Sequence, residues 1–241
     1  MIEEMRRGAV ANLPVGASVA AYGSVLGMLA AQKGLTWMQL LAMNLSVFAG
    51  SAQFVMVEMW TPPLPILEMT LAVLIINMRY LLIGASLNPL FQGKSLAHRA
   101  GIMHLVADEN WAVTMAAHRQ GQASSEFLFG GGCCLLLAWC IGTITGHQLG
   151  TFIRHPEVFA LDFAFVAVFT ALTTGMWRGK KDLAPWVAAA VIAVTAEFFL
   201  PGKWYIVAGG LGGALVPALQ QRVRDGRRSA RAEGEETHVL K

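Results

Sequence analysis

Arg79 is the residue of this sequence whose position most needs a chemical explanation. It lies near the middle of Ile66–Leu90, an apolar run of 25 residues. As a helix with a rise of about 1.5 Å per residue, such a run is long enough to cross a bilayer core of about 30 Å. An arginine at that depth costs at least about 2.5–3.5 kcal/mol, so we interpret it as a functional residue. Glu68 shares its helix face but lies about 16 Å away along the axis. The partner of Arg79 must therefore come from another segment, another subunit, water or the substrate.

A second polar cluster interrupts the preceding apolar run. Gly50 would let the helix unwind or let another backbone approach, and Ser51 and Gln53 add a hydroxyl and an amide. Such groups bind either a small polar solute or a neighbouring helix. We therefore name Gly50, Ser51 and Gln53, with Asn77 and Arg79, as candidate substrate-binding or pathway residues.

Acidic residues form the third set of candidates. Asp108 and Glu109 are adjacent carboxylates in a polar stretch and are predicted to have a gating or coupling role, the alternative being an ordinary polar loop helix. His104 is four residues before Asp108, so on one helix the two would share a face. Asp162 begins a later apolar segment, where it would cap the helix or join the coupling set. Two ligands at helical spacing make a weak metal site, and we expect no metal and no cofactor.

The elements that position these residues are apolar helices. Hydrophobic residues make up 55% of the 241 residues and charged residues only 14%, which indicates an all-α, polytopic integral membrane protein. Continuous rather than alternating apolar runs argue against a β-barrel. We predict one transmembrane domain over residues 1–219 with six to seven hydrophobic segments, namely Ala9–Ala31, Met38–Trp60, Ile66–Leu90, Phe127–Leu149, Val158–Trp177, Leu183–Leu200 and Tyr205–Leu219.

The distribution of Lys and Arg predicts which ends lie in the cytoplasm. The basic tail, residues 220–241, is predicted to be disordered and to lie in the cytoplasm. The long polar stretch Phe91–Ser125 is predicted to lie on the same side. Seven full crossings would then place Arg6 and Arg7 outside, against the positive-inside rule. We therefore expect that the N-terminus is exported regardless, or that one of the first two segments is broken or re-entrant. Asn12–Gly16 and Phe48–Phe54 are the two candidate breaks.

Other function classes find little support. Nothing resembles a nucleotide-binding loop, a nucleophile elbow or a zinc-protease motif, so we expect no enzyme activity. Five arginines in the tail of a membrane protein do not indicate nucleic-acid binding. Cys133, Cys134 and Cys140 lie in one apolar segment and are interpreted as small packing residues. Small residues four apart, such as Gly142 and Gly146, predict close helix packing, with a partner-subunit interface as the alternative.

Several of these stretches occur together and in order in one known family. The sequence resembles the AzlC-type branched-chain amino acid exporters, the large subunits of two-component permeases of the LIV-E family. The matching stretches are Pro14–Gly16, Phe48–Phe54, Asn77–Leu82, Asp108–Glu109 and Leu161–Ala164, and the resemblance covers about residues 8–220. After Asp108–Glu109 the family pattern predicts a small hydroxyl residue and then an aromatic residue. This sequence has the pair Asn110–Trp111 there, which is a local departure from the pattern.

The resemblance implies export of leucine, isoleucine and valine, with methionine also a candidate, across the bacterial inner (plasma) membrane. It also implies a small membrane partner of the AzlD type and drive from the proton gradient. Two alternatives stay open from the residues alone. The chain could be a passive channel for small solutes, or a scaffold subunit whose partner carries the substrate site.

Overall fold

A computed structural model describes residues 1–152, 170, 173–174, 177, 179–180, 183–201 and 204–216. All regular elements among them are helices, which confirms the predicted all-α class. The predicted fifth segment falls almost wholly outside the described residues, as do Asp162 and the basic tail. The helices are α1 (Ile2–Gln32), α2 (Trp37–Ser46), α3 (Gly50–Glu58), α4 (Ile66–Asn77), α5 (Arg79–Leu87), a 3-10 turn (Asn88–Phe91), α6 (Leu96–His104), α7 (Asp108–Arg119), α8 (Ser125–Phe152), α9 (Leu183–Phe199) and α10 (Trp204–Val216).

Three described helices are long and apolar enough to cross a membrane, namely α1, α8 and the run Ile66–Phe91 that contains α4 and α5. The chain divides into two compact units. The first comprises residues 1–64 and 76–169, and the second comprises residues 65–75 and 170–241. All the candidate site residues that the structure describes lie in the first unit.

Glycine pairs hold α1 and α8 together along their length, and the two helices run parallel. A Cβ on Gly130 would lie 1.9 Å from the Met5 carbonyl oxygen, and one on Gly146 would lie 2.0 Å from that of Ser24. Residues early in α1 therefore contact residues early in α8, and later residues contact later ones. Real Cβ atoms do not approach so closely, so glycine is required where the backbones touch. The predicted small-residue packing is formed within this chain.

The expected break in the first segment is wrong, because α1 is continuous from Ile2 to Gln32 with Pro14 inside it. Proline removes one backbone hydrogen bond of the helix. Packing against α8 continues across that position, since Asn12 is fully buried against Gly131 and Gly16 lies against Leu135. The cost of the proline is therefore offset by contacts on either side of it.

The second segment is broken, as predicted, and folds back on itself. Helix α2 ends at Ser46 and α3 begins at Gly50, with Val47, Phe48 and Ala49 between them. The Lys33 ammonium group, just before α2, donates to the Glu58 carbonyl oxygen at 3.2 Å, so the pair starts and ends at the same side. Because α1 ends beside Gly150 of α8, that side is the C-terminal end of α8. Helices of ten and nine residues extend only about 14–15 Å each, half of a bilayer core.

The polar stretch forms a second helical hairpin rather than the surface loop we expected. Lys94, before α6, pairs with Glu126 of α8 at 2.6 Å, and the end of α7 shares a cleft with Arg6, Arg7 and Phe127. Both outer ends of this hairpin therefore lie at the N-terminal end of α8, opposite to the outer ends of α2 and α3.

The tips of the two hairpins meet inside the first unit. His104 ends α6, and its Nε2 atom lies 2.8 Å from the carbonyl oxygen of Leu45, near the end of α2. Our expectation that His104 and Asp108 share a helix face is wrong, because the chain turns between them. Buried Asn110 stabilises that turn by accepting from the Ala107 N–H at 2.8 Å and donating to the Leu105 carbonyl oxygen at 2.9 Å.

In the second unit, α9 and α10 pack through small residues. A Cβ on Gly209 would lie 2.8 Å from the Cβ of Ala193, and one on Gly213 would lie 2.8 Å from that of Ala189. The Gly209/Gly213 pair of the sequence therefore packs within this unit as well.

Candidate functional site

Arg79 connects the tips of the two opposed hairpins. Its Nη2 atom donates to the Ser51 hydroxyl of α3 at 2.9 Å, and its Nη1 atom lies 2.5 Å from Oδ2 of Asp108 in α7. Ser51 is the second residue of α3 and Asp108 is the first of α7. The Arg79 guanidinium group thus joins α3 to α7. Helix α3 belongs to the hairpin whose outer ends lie at the C-terminal end of α8, and α7 belongs to the hairpin whose outer ends lie at the N-terminal end. The sequence left another segment, another subunit, water or the substrate as the source of a partner for Arg79. In this structure the partner is Asp108, from another segment.

Arg79 also begins a helix of its own. The run Ile66–Phe91 is interrupted at Met78, which separates α4 from α5, so Asn77 ends one helix and Arg79 starts the next. The Arg79 guanidinium carbon lies 5.3 Å from the centre of the adjacent Tyr80 ring, within the range of a cation–π contact. The side chains of Asn77 and Arg79 are both half-buried.

Aromatic side chains enclose the first turn of α3. A Cβ on Gly50 would lie 3.2 Å from the Trp139 ring and 3.5 Å from the Tyr22 ring. The Tyr22 ring centre lies 4.8 Å from that of Phe54 and 5.6 Å from that of Trp139. These contacts bring α1, α3 and α8 to one place, and they leave Gly50 little room for a side chain.

Gln53 bonds the backbone and a neighbouring helix, which is one of the two roles that the sequence left open for it. It is fully buried; its amide nitrogen donates to the Val47 and Met43 carbonyl oxygens at 2.5 and 3.3 Å, and its amide oxygen accepts from the Trp139 indole N–H at 2.8 Å. These carbonyls lie in the last turn of α2 and in the break that follows it, so Gln53 joins α3 to the end of α2. In this structure Gln53 stabilises the break and joins it to Trp139 of α8.

The two carboxylates of α7 differ in their surroundings. Asp108 is half-buried and engaged with Arg79, whereas Glu109 is exposed. Both lie in the first turn of α7, where the helix dipole favours negative charge. Among the described residues, no group of three or more His, Cys, Asp and Glu side chains could hold a metal ion.

Sequence reasoning missed Tyr22, Trp139 and Asn110 as parts of this region. Tyr22 and Trp139 lie in apolar segments where an aromatic residue gives no signal of its own. Asn110 did give a signal, because it departs from the family pattern, and the structure shows that it stabilises the turn before α7.

The arrangement suits an anionic group near Arg79. The N-termini of α3 and α7 both carry the positive end of a helix dipole, and Arg79 adds a full positive charge between them. Asp108 and Glu109 offset this charge from within the protein. The receptors that Asp108 meets here, Arg79 and a helix N-terminus, are ones that suit any carboxylate.

Comparison with known proteins decides the family. The family model described as "AzlC protein" matches residues 14–153, more than half of the chain. The chain belongs to the AzlC family. The match begins in α1 and ends just beyond α8, so it contains both hairpins and every contact of Arg79 described above.

Two relatives of this AzlC protein come from Helicobacter pylori strains J99 and 26695, and each is named only "Uncharacterized membrane protein". They are 23% and 22% identical over 179 residues, which is 73% of this chain and 78% of each relative. No solved structure matches. AzlC is a membrane transport family and not an enzyme family, so the coarse assignment is a membrane protein with a transport-related role.

Proposed function

We propose that this AzlC protein exports branched-chain amino acids, namely leucine, isoleucine and valine, and methionine as a further candidate. The observation that carries the proposal is the contact of Arg79 with both Ser51 and Asp108 at the meeting point of two opposed half-length helices. Discontinuous helices whose N-termini face an anionic substrate group are a recurring way to build a transporter site within a membrane.

An amino acid is a zwitterion, and both of its charges need partners in a dry site. In the proposal its carboxylate binds Arg79 and competes with Asp108 for the positive charge of the guanidinium group. Ser51 belongs to the hairpin from the C-terminal end of α8, and Asp108 belongs to the hairpin from the N-terminal end. Loss of the Arg79–Asp108 contact would free one hairpin while the other stays attached through Ser51. Substrate binding would thereby be linked to access from one side at a time.

Glu109 is the proposed proton carrier for drive by the proton gradient. Its side chain is exposed, and the residue before it is Asp108, whose carboxylate pairs with Arg79. A proton on Glu109 would lower the negative charge at the start of α7 and weaken the electrostatic hold of this region on Arg79. Asp162, which lies outside the described residues, stays a further proposed coupling residue.

The proposal includes a small AzlD-type membrane partner and the bacterial inner (plasma) membrane, with the C-terminal tail in the cytoplasm. The structure supports one refinement of this topology. Arg6 and Arg7 lie at the same end of α8 as Lys94 and Arg119, because α1 and α8 are parallel and α2–α3 is re-entrant. The positive-inside rule then favours that end as the cytoplasmic one, with Lys33 at the opposite end.

Counterflow tests the function directly. Vesicles containing the full chain, with and without the small partner, are loaded with unlabelled leucine and given labelled leucine, isoleucine, valine, methionine, lysine and glutamate outside. We expect accumulation of the four apolar amino acids with both subunits present, and none of the two charged ones. Equilibration without accumulation would indicate a passive channel. Counterflow by the partner alone would indicate that this chain is a scaffold.

A further inference from the structure

Three buried polar atoms around Arg79 have no hydrogen-bond partner among the described residues. They are the Tyr22 hydroxyl oxygen, the Asn77 amide oxygen and Nε of Arg79 itself. Most buried polar groups in proteins are paired, and an unpaired one costs folding free energy, so each needs an explanation. Asn77 and Arg79 lie on either side of the Met78 interruption. The Tyr22 ring lies 3.5 Å from the position of a Cβ on Gly50, the residue before the Ser51 that accepts from Arg79.

The ring of Tyr22 is held firmly although its hydroxyl is unpaired. It packs against Phe54 and Trp139 and covers Gly50, the residue before the Ser51 that binds Arg79. Its contact with Gly50 brings the ring next to the Ser51 hydroxyl that accepts from the Arg79 guanidinium group. A fixed ring with a free hydroxyl in a charged region is a preorganised hydrogen-bond donor.

The three unpaired atoms are chemically complementary to an α-amino acid. Tyr22 and Nε of Arg79 are donors, suited to the two oxygens of a carboxylate, and the Asn77 oxygen is an acceptor, suited to an ammonium group. Nε is the part of the guanidinium group that neither Ser51 nor Asp108 occupies. The Tyr22 phenol adds a hydrogen-bond donor without adding a second positive charge. It therefore does not add to the free-energy cost of burying unpaired charge when no substrate is bound.

We propose that Tyr22 is a substrate-binding residue whose hydroxyl donates to the carboxylate of an α-amino acid held at Arg79, with Asn77 accepting from its ammonium group. The inference rests on the proposed transport function and adds a residue of α1 to the site.

Tyr22→Phe removes the hydroxyl and keeps the ring. Leucine and leucinamide binding to the purified full chain in lipid nanodiscs is measured by calorimetry, with thermal unfolding as a second readout. Loss of a hydrogen bond to a charged group predicts about 10- to 100-fold weaker leucine binding. Leucinamide, which has no carboxylate, should lose less than threefold. The unfolding midpoint should not fall, because the hydroxyl has no partner to lose among the residues that the structure describes.

Thr114→Val is the matched control. Thr114 is fully buried on α7, and its hydroxyl also lacks a partner among the described residues. We expect leucine binding within twofold of wild type. Equal leucine binding by Tyr22→Phe and wild type would overturn the role of Tyr22 alone, as would an equal loss for leucine and leucinamide or a lower unfolding midpoint. A wild-type chain that binds no leucine, but passes the same folding check, would overturn the proposed function together with this inference.

Discussion

The ion pair between Arg79 and Asp108 gives a prediction whose size follows from the structure. The nitrogen and oxygen are 2.5 Å apart, and the side chains are 30% and 44% exposed. At an effective dielectric constant of about 20, the gross attraction at this distance is about 7 kcal/mol. Desolvation and side-chain ordering offset most of it, as exposed pairs contribute about 0.2–1 kcal/mol and breaking a buried one costs about 3–5 kcal/mol. For this partly buried pair we expect a coupling energy of about 1–3 kcal/mol.

A double-mutant cycle measures that energy. Arg79→Met, Asp108→Asn and the double variant are purified in a mild detergent, and the free energy of unfolding is obtained from denaturant titration. Arg7 and Glu4 provide the control, since they pair at 2.6 Å with exposures of 40% and 32% but lie one helical turn apart near the start of α1. We expect about 0.2–0.5 kcal/mol for that local pair. An Arg79–Asp108 coupling no larger than that of the control would refute the idea that this contact joins two separate hairpins.

Three further predictions test coupling, packing and topology. Glu109→Gln should remove the dependence of leucine efflux on an imposed pH gradient while efflux down a leucine gradient continues; unchanged pH dependence would exclude Glu109 as the proton carrier. Gly146→Ala should lower the free energy of unfolding by at least about 1–3 kcal/mol, because the new Cβ would lie 2.0 Å from a carbonyl oxygen of α1. Gly101→Ala, with no atom within 4 Å of its Cβ, should instead raise it by about 0.5–1 kcal/mol. Cysteines placed at Arg6 and Arg119 should react with an impermeant maleimide from the same side of the membrane, and labelling from opposite sides would contradict the parallel packing of α1 and α8.

The break near Gly50 could be predicted from the sequence because its causes are local. A glycine, a serine and a glutamine lie together in the middle of an apolar run, and such residues weaken a helix or require polar partners. The same reasoning failed at Pro14, where a local weakness is offset by packing against a helix more than a hundred residues later. Sequence identifies the weakness in both cases, whereas tertiary contacts decide whether the helix breaks.

The partner of Arg79 could be only partly predicted. The distance to Glu68 along one helix excluded that residue by geometry alone. Asp108 could not be selected, because it reaches Arg79 only through the fold of Phe91–Ser125 into a hairpin that turns inside the first unit. That stretch is polar in composition, which is typical of a surface loop. Its turn depends on Asn110, a single side chain whose hydrogen bonds are not visible in a periodic pattern.

Leucine efflux by an Arg79→Leu variant tests the central claim most directly. Cells carrying the small partner are preloaded with labelled leucine, membrane insertion is quantified, and Arg119→Leu, at the exposed end of α7, is the control. We predict that Arg79→Leu inserts normally and loses at least about 90% of efflux, because binding would lose a charge-assisted partner worth about 1.5–3 kcal/mol. The control should keep efflux near the wild-type rate. Wild-type efflux by a normally inserted Arg79→Leu protein would contradict the account.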